Sequence, residues 1–306
     1  MSIEQLLKEF CKCSIHFRGV SPQTAKRYRE HISYFYKYAK ISSASEITKK
    51  KVLLFFMYGR TERHWKPRTF RTYYMSLRVF FRWCVREGYM EQNPTEDIEL
   101  PRIERPLPKG LSKQQAIQLL EMVYNYPFET TYQKFRNHAI FAMFIFAGLR
   151  KGELLSLNYG DVDVEQQTIF VRRGKGAKDR IVPMSNTLAG ILKNYRRERK
   201  KKNKTCIKFF TSSKHDCGFT VHGLKHLTEK LRKNISIQFT IHQLRHTFAT
   251  LMMEGGCDIY SLSKMLGHCD IKTTTIYLSA SVEHLRSQLT KHPLNSLVCK
   301  TLESQQ

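Results

Sequence analysis

Four prolines crowd the stretch N-P-T-E-D-I-E-L-P-R-I-E-R-P-L-P-K from Asn93 to Lys109. Each removes a backbone donor and fixes φ, so no helix interior or central strand passes through such a run. The chain is therefore expected to divide into two domains, residues 1–92 and 110–306, joined by an extended connector over 93–109. With 306 residues in all, both parts are long enough to bury a core.

Residues 1–92 read as helical. Ser21 and Pro22 make a helix start, cap then first turn, and Tyr28, Ile32, Phe35 and Ala39 follow at the spacing of one face. A further helix runs through Val52 to Tyr58. The next starts at Pro67 and sets Phe70, Tyr73, Leu77, Phe81 and Cys84 on one stripe. Arg71, Met75, Arg78 and Arg82 fall on a second stripe about 100° round the axis, which is either a nucleic-acid face or a solvated basic surface.

In the second part, Ser112 caps an amphipathic helix through Val123, and a nearly all-apolar helix from Phe135 to Phe146 belongs in the core. Gly148 ends that helix just before Arg150. Residues 168–173 and 180–183 read as two strands joined by G-K-G-A-K-D, a turn-rich hairpin loop with Lys175 at its tip or shoulder. Thr240 and Gln243 suggest a capping box opening a helix that ends at Gly255 and Gly256. On it, His242, Arg245, Ala249 and Met252 line one face, and Leu244, Phe248 and Leu251 anchor another; His246 is read as structural. A short helix from Ile259 to Leu266 stops at Gly267 and leaves His268 at a turn, and Asp270 is expected to cap the helix carrying Tyr277. The fold class is mainly α with a small antiparallel sheet: a helical N-terminal domain and a mixed α/β C-terminal domain.

A formal net charge of +26 calls for a polyanionic partner. The longest apolar run, Ile140 to Leu149, is about half of a bilayer crossing, and residues 1–20 lack a signal-peptide pattern; a cytoplasmic protein without membrane attachment is expected. The eight cysteines are scattered, without a disulfide framework. Cys206, Cys217, His222 and His226 are spaced too widely for a zinc finger. Asp161, Asp163 and Glu165 read as a turn feeding a strand, so no metal or cofactor is expected. The basic run from Tyr195 to Lys204 reads as a solvated helix end or loop that meets phosphates nonspecifically.

Six residues carry chemistry: Arg150 in A-G-L-R-K-G-E-L, Lys175 in R-G-K-G-A-K-D-R, His242 and Arg245 in H-Q-L-R-H, His268 in L-G-H and Tyr277 in T-T-I-Y. Forked guanidinium donors suit the non-bridging oxygens of a phosphodiester better than ammoniums do. A phenol becomes a nucleophile once a base takes its proton, and the departing oxygen needs an acid. Together these residues form a kit for phosphodiester transfer.

In this order and these contexts the six resemble the signature of the tyrosine recombinase (phage integrase) family: Arg, Lys on a hairpin, His-x-x-Arg, His or Trp, then Tyr. The resemblance covers nearly the whole chain and is to compact, two-domain, Xer-like members. It implies a SAM-like core-binding domain that closes over double-stranded DNA with the catalytic domain, so Arg71, Arg78 and Arg82 become candidate DNA contacts. It also implies Arg150 and Arg245 as a phosphate clamp, His242 as acceptor of the Tyr277 proton, Lys175 as general acid, His268 as a phosphate-holding group and Glu153 as support for Arg150. The implied reaction is DNA integration or another site-specific recombination through a 3′-phosphotyrosyl enzyme and a Holliday junction. A homo- or hetero-tetramer on paired inverted repeats would carry it out, with Val282, Leu285 and Leu289 docking on a neighbour. Ala147 and Lys151 depart from the family pattern without touching the chemistry. Relaxation in the manner of a type IB topoisomerase, and an inactive DNA-binding regulator, are the competing readings.

Overall fold

The computed structural model describes residues 2–103, 110–172, 179–268 and 270–278. Lys175 and the stretch holding Val282, Leu285 and Leu289 lie outside the described residues. Met1–Arg105 and Pro106–Gln306 form two compact units.

The first unit holds α1 (Ile3–His16), α2 (Pro22–Ala39), α3 (Lys49–Thr61) and α4 (Pro67–Arg86). Ser21 caps α2 by accepting from the Thr24 N–H, and Ser2 and Gln5 form a reciprocal capping box on α1. The core is aromatic: Phe10 meets Phe80 edge to face at 5.3 Å, and Phe35 meets Phe55 at 5.2 Å. Trp65 stacks on Tyr73 at 4.2 Å and covers Gly59, where a Cβ would come within 2.2 Å of the indole.

The start of the proline-rich stretch, residues 93–98, folds as turns where an extended connector is expected. Pro94 occupies the second position of a turn closed by the Glu96 N–H on the Asn93 carbonyl, and Asn93 Oδ1 accepts from both the N–H and the hydroxyl of Thr95. Because these polar groups satisfy one another, the turn can be buried. Ile98 then joins the first unit's core. The basic stripe is only partly open. Arg71 Nε donates to the Pro101 carbonyl at 3.0 Å, Arg78 is half-buried with its guanidinium 5.9 Å from the centre of the Tyr74 ring, and Arg82 is exposed.

The second unit holds α5 (Lys113–Asn125), α6 (Thr131–Ala147), α7 (Lys151–Ser156), β1 (Val162–Asp163), β2 (Thr168–Val171), β3 (Arg180–Pro183), α8 (Asn186–Lys201), α9 (Val221–Asn234), α10 (Ile241–Glu254) and α11 (Ile259–Leu266). The apolar α6 runs through the core and packs against α5, α8 and α10. The strands form an antiparallel sheet in the order β1-β2-β3, with Val162 opposite Ile169 and Val171 opposite Arg180. The fold is thus mostly helical with one small antiparallel sheet, as expected.

Two local readings change and one, the turn feeding the strand at Thr168, holds. Most of the basic run from Tyr195 lies in α8, where Tyr195 and Arg199 are buried and the Arg199 guanidinium sits 4.4 Å from the Tyr159 ring centre. Asp161, Asp163 and Glu165 are engaged separately: Asp161 by Arg172 at 2.7 Å, Asp163 by two backbone N–H groups, and Glu165 by Lys193 at 2.9 Å. Asp270 caps a 3-10 turn, Ile271–Thr273, and Tyr277 closes a second one, Thr275–Tyr277, in place of the expected helix. Among the described residues no helix is long and apolar enough to cross a membrane.

Candidate active site

The site is built from the ends of elements. α6 stops at Gly148 in the left-handed region, φ 59°, and Arg150 becomes the N-cap of α7. A Cβ at Gly148 would fall 2.3 Å from the Phe248 ring, so α6 and α10 meet closely where the first arginine emerges.

Glu153, 8% exposed, is the hub. It accepts from the Arg150 backbone N–H and Nη1, both at 2.7 Å, and from Arg180 Nη1 and Nη2, both at 2.9 Å. Arg245 Nη1 lies 3.8 Å away. Burial alone would raise the Glu153 pKa, but the bonds from Arg180 and Arg150 outweigh it and hold the carboxyl down to about 2.

The same arginines share the C-terminal end of α11, which leaves its last carbonyls unpaired. Arg180 Nε donates to Met265 O at 2.8 Å, Arg245 Nη2 to Leu266 O at 2.6 Å, and Arg150 Nη2 to Gly267 O at 3.0 Å. Three cations thus cover the negative pole of one helix. Arg245 also donates to Gly148 O at 2.6 Å, tying α10 to the end of α6. Burial, followed by the nearby Arg150, lowers its pKa to about 10, which leaves it charged at neutral pH.

His268 follows Gly267, which ends α11 in the left-handed region at φ 62°. Its Nε2 is 3.3 Å from Arg245 Nη2 and its Nδ1 is 2.8 Å from the Thr274 hydroxyl. A guanidinium only donates, so Nε2 accepts and Nδ1–H donates to Thr274. Burial and then Arg245 and Arg150 depress the His268 pKa to about 4, in keeping with a neutral ring. Tyr277 is 2% exposed, packed in a small core with Phe248, Ala249, Met253, Leu262 and Leu266. Burial raises its pKa, against the lowering influence of Arg245 and Arg150.

The structure therefore brings together five of the six expected residues: Arg150, His242, Arg245, His268 and Tyr277. Lys175 lies outside the described residues, although β2 and β3 flank it. His246, taken as structural, has its Nδ1 2.7 Å from Tyr277 Oη. His242 is exposed as a whole residue, with its ring centre 4.3 Å from that of His246; the partial desolvation of that ring, then Arg245 and Arg150, lower its pKa. Arg180 escaped sequence reasoning altogether. Its signal was alternation: in β3 it shares a face with the buried Val182, an inward position where a charge needs a partner.

This fold and cluster define a class, and comparison places the chain in it. Residues 109–284 match the Phage integrase family and residues 6–91 match the Phage integrase, N-terminal SAM-like domain. The chain belongs to the phage integrase family of tyrosine recombinases and is an Xer-like site-specific DNA recombinase. It is 31% identical over 285 residues to tyrosine recombinase XerA of Thermococcus onnurineus, covering 93% of this chain and 94% of that one. It is 31% identical over 287 residues to XerD of Listeria monocytogenes, covering 90% and 94%. Among solved structures, the XerH recombinase in a post-cleavage complex with palindromic difH shares the fold, with a TM-score of 0.71, 21% identity and coverage of 93% and 83%. A crystal structure of XerA recombinase matches with a TM-score of 0.52, 26% identity and coverage of 95% and 98%.

Proposed function

We propose that the protein recombines double-stranded DNA at specific paired sites through a covalent 3′-phosphotyrosyl intermediate on Tyr277. The observation that carries this reading is a buried phenol, 2.7 Å from an imidazole of α10 and within the electrostatic influence of two guanidiniums whose positions are set by backbone carbonyls and a buried carboxylate. Arg150 and Arg245 grip the non-bridging oxygens, whose charge grows as phosphorus becomes five-coordinate. The Tyr277 oxygen attacks, an imidazole of α10 takes its proton, and the 5′-oxygen leaves. Lys175, which falls in sequence between β2 and β3, is assigned to protonate that oxygen, and His268 to steady the phosphate.

The phosphotyrosyl bond keeps the energy of the diester, so a 5′-hydroxyl from another strand can reverse the step. Strand exchange by this route, through a Holliday junction, needs neither a metal nor a nucleotide. Two cleavages on each of two sites call for four protomers on inverted repeats. DNA-bound relatives, including lambda integrase as a dimer on a core site, support a DNA partner. The net charge of +26 agrees with it.

The test uses duplexes with randomised arms and a nick that lets the cleaved end diffuse away. The wild-type protein should become covalently attached to a subset of sequences, and Tyr277→Phe should not. Adduct that persists in Tyr277→Phe would sink the assignment. Relaxation of any plasmid by monomer, without pairing of sites, would move it to the topoisomerase class.

A further inference from the structure

We infer that His246 is the group that takes the Tyr277 proton during cleavage, a role that rests on Tyr277 being the nucleophile. At 2.7 Å, the His246 Nδ1 and Tyr277 Oη are within direct transfer distance. The contact is also well fixed. The Tyr277 N–H bonds to the Thr274 carbonyl, the Thr274 hydroxyl is engaged by His268, and the phenol ring is buried among α10 and α11 side chains. His246 lies on α10 one residue after Arg245, so the helix that delivers a clamp arginine also delivers the base. His242, four residues earlier, is exposed and meets the His246 ring at 73°; the hydroxyl contact belongs to His246.

The charged and titratable groups facing His246 are His242 and Arg245 from its own helix and Tyr277 from the 3-10 turn; Arg150 acts on the tyrosine. Burial, then His242 and Arg245, depress the His246 pKa to about 4, so the ring is neutral and able to accept at physiological pH. A phosphate bound between Arg150 and Arg245 offsets the cationic field that disfavours a proton on His246. Basicity therefore rises when substrate is in place.

The Tyr277 O–H bond breaks and its proton moves to Nδ1, giving an imidazolium. The phenolate oxygen bonds to phosphorus, the bond from phosphorus to the 5′-oxygen breaks, and that oxygen takes a proton from the general acid. Rejoining runs in reverse: the imidazolium returns its proton to the departing tyrosine oxygen.

Two measurements test the assignment. The first follows adduct formation on duplexes that the wild type selects from the randomised pool. His246→Gln should keep DNA affinity but cleave about 10²-fold more slowly or worse, with a rate that climbs with pH as hydroxide replaces the base. Imidazole added to His246→Ala should restore part of the rate, which a merely structural histidine would not allow. A His246→Gln rate within a few-fold of wild type, with loss confined to His242→Gln, overturns the proposal. The second needs no DNA. In protein with isotope-labelled histidine, the His246 Nδ1 resonance should be that of an unprotonated, hydrogen-bonded nitrogen and should move in Tyr277→Phe; an unmoved resonance overturns the pairing. Failure of the recombinase reading shows up differently, as adduct in Tyr277→Phe or no adduct from any duplex, with the resonance arm still deciding the pair.

Discussion

Replacing Glu153 with glutamine removes the anion around which the site's arginines are arranged. Its carboxyl is lowered from an ordinary 4.5 to about 2 in the folded protein. At about 1.4 kcal/mol per pH unit, that difference corresponds to about 3 kcal/mol of stability. Breaking a buried ion pair on one side costs about 3–5 kcal/mol, which is the same range. The folded pKa is depressed, so this contribution is complete above about pH 4.5 and fades as pH falls toward 2. Glu153→Gln should therefore unfold about 3 kcal/mol more easily in urea at pH 7, by circular dichroism, with the gap from wild type narrowing steadily below pH 4.5. Hydrogen exchange should accelerate at the Leu154 amide, which bonds the Arg150 carbonyl at 3.0 Å. A loss under about 1 kcal/mol at pH 7, or a gap that does not shrink in acid, would refute the view that this carboxylate is ionised and compensates the guanidiniums.

Gly148→Ala places a Cβ at φ 59° and 2.3 Å from Phe248, so chemical denaturation should show a cost above the roughly 1–2 kcal/mol of a left-handed alanine. Gly59→Ala drives a methyl into the Trp65 ring; overpacking of about 1–3 kcal/mol is expected, read by fluorescence because both tryptophans, Trp65 and Trp83, lie in the first unit. DNA affinity should fall steeply with salt, and if Arg82 neutralises a phosphate, Arg82→Ala should flatten the log–log slope by about one. Affinity that ignores salt would count against a basic DNA face.

Helix starts were legible because the deciding contact is local. Ser21, Ser112 and Thr240 each accept from a backbone N–H three residues on, and those partners are adjacent in the sequence. Arg150, Arg245 and His268, which the fold gathers at one helix end, stood out in the sequence through their contexts. Misreadings occurred where distant partners decide. Arg180 depends on Glu153, 27 positions away, and on a helix end formed 85 positions later. α7, six residues long, is too short to show a periodicity. Arg199 looked solvated until Tyr159 supplied an aromatic face. His246 shares a helix face with His242, so pattern alone could not separate them; only the distance to the Tyr277 hydroxyl does.

The three arginines on the end of α11 have a consequence for how freely this site can be altered. They bind main-chain oxygens at residues 265, 266 and 267, atoms that every amino acid possesses. The arginine cluster is therefore insulated from side-chain identity along that edge: methionine or leucine there can be exchanged for other apolar residues while the anchors persist. Its exposure is to chain geometry instead. A residue that forces Gly267 out of its left-handed turn would shift three anchoring oxygens at once, so a change carrying no charge and no chemistry could misalign every guanidinium together.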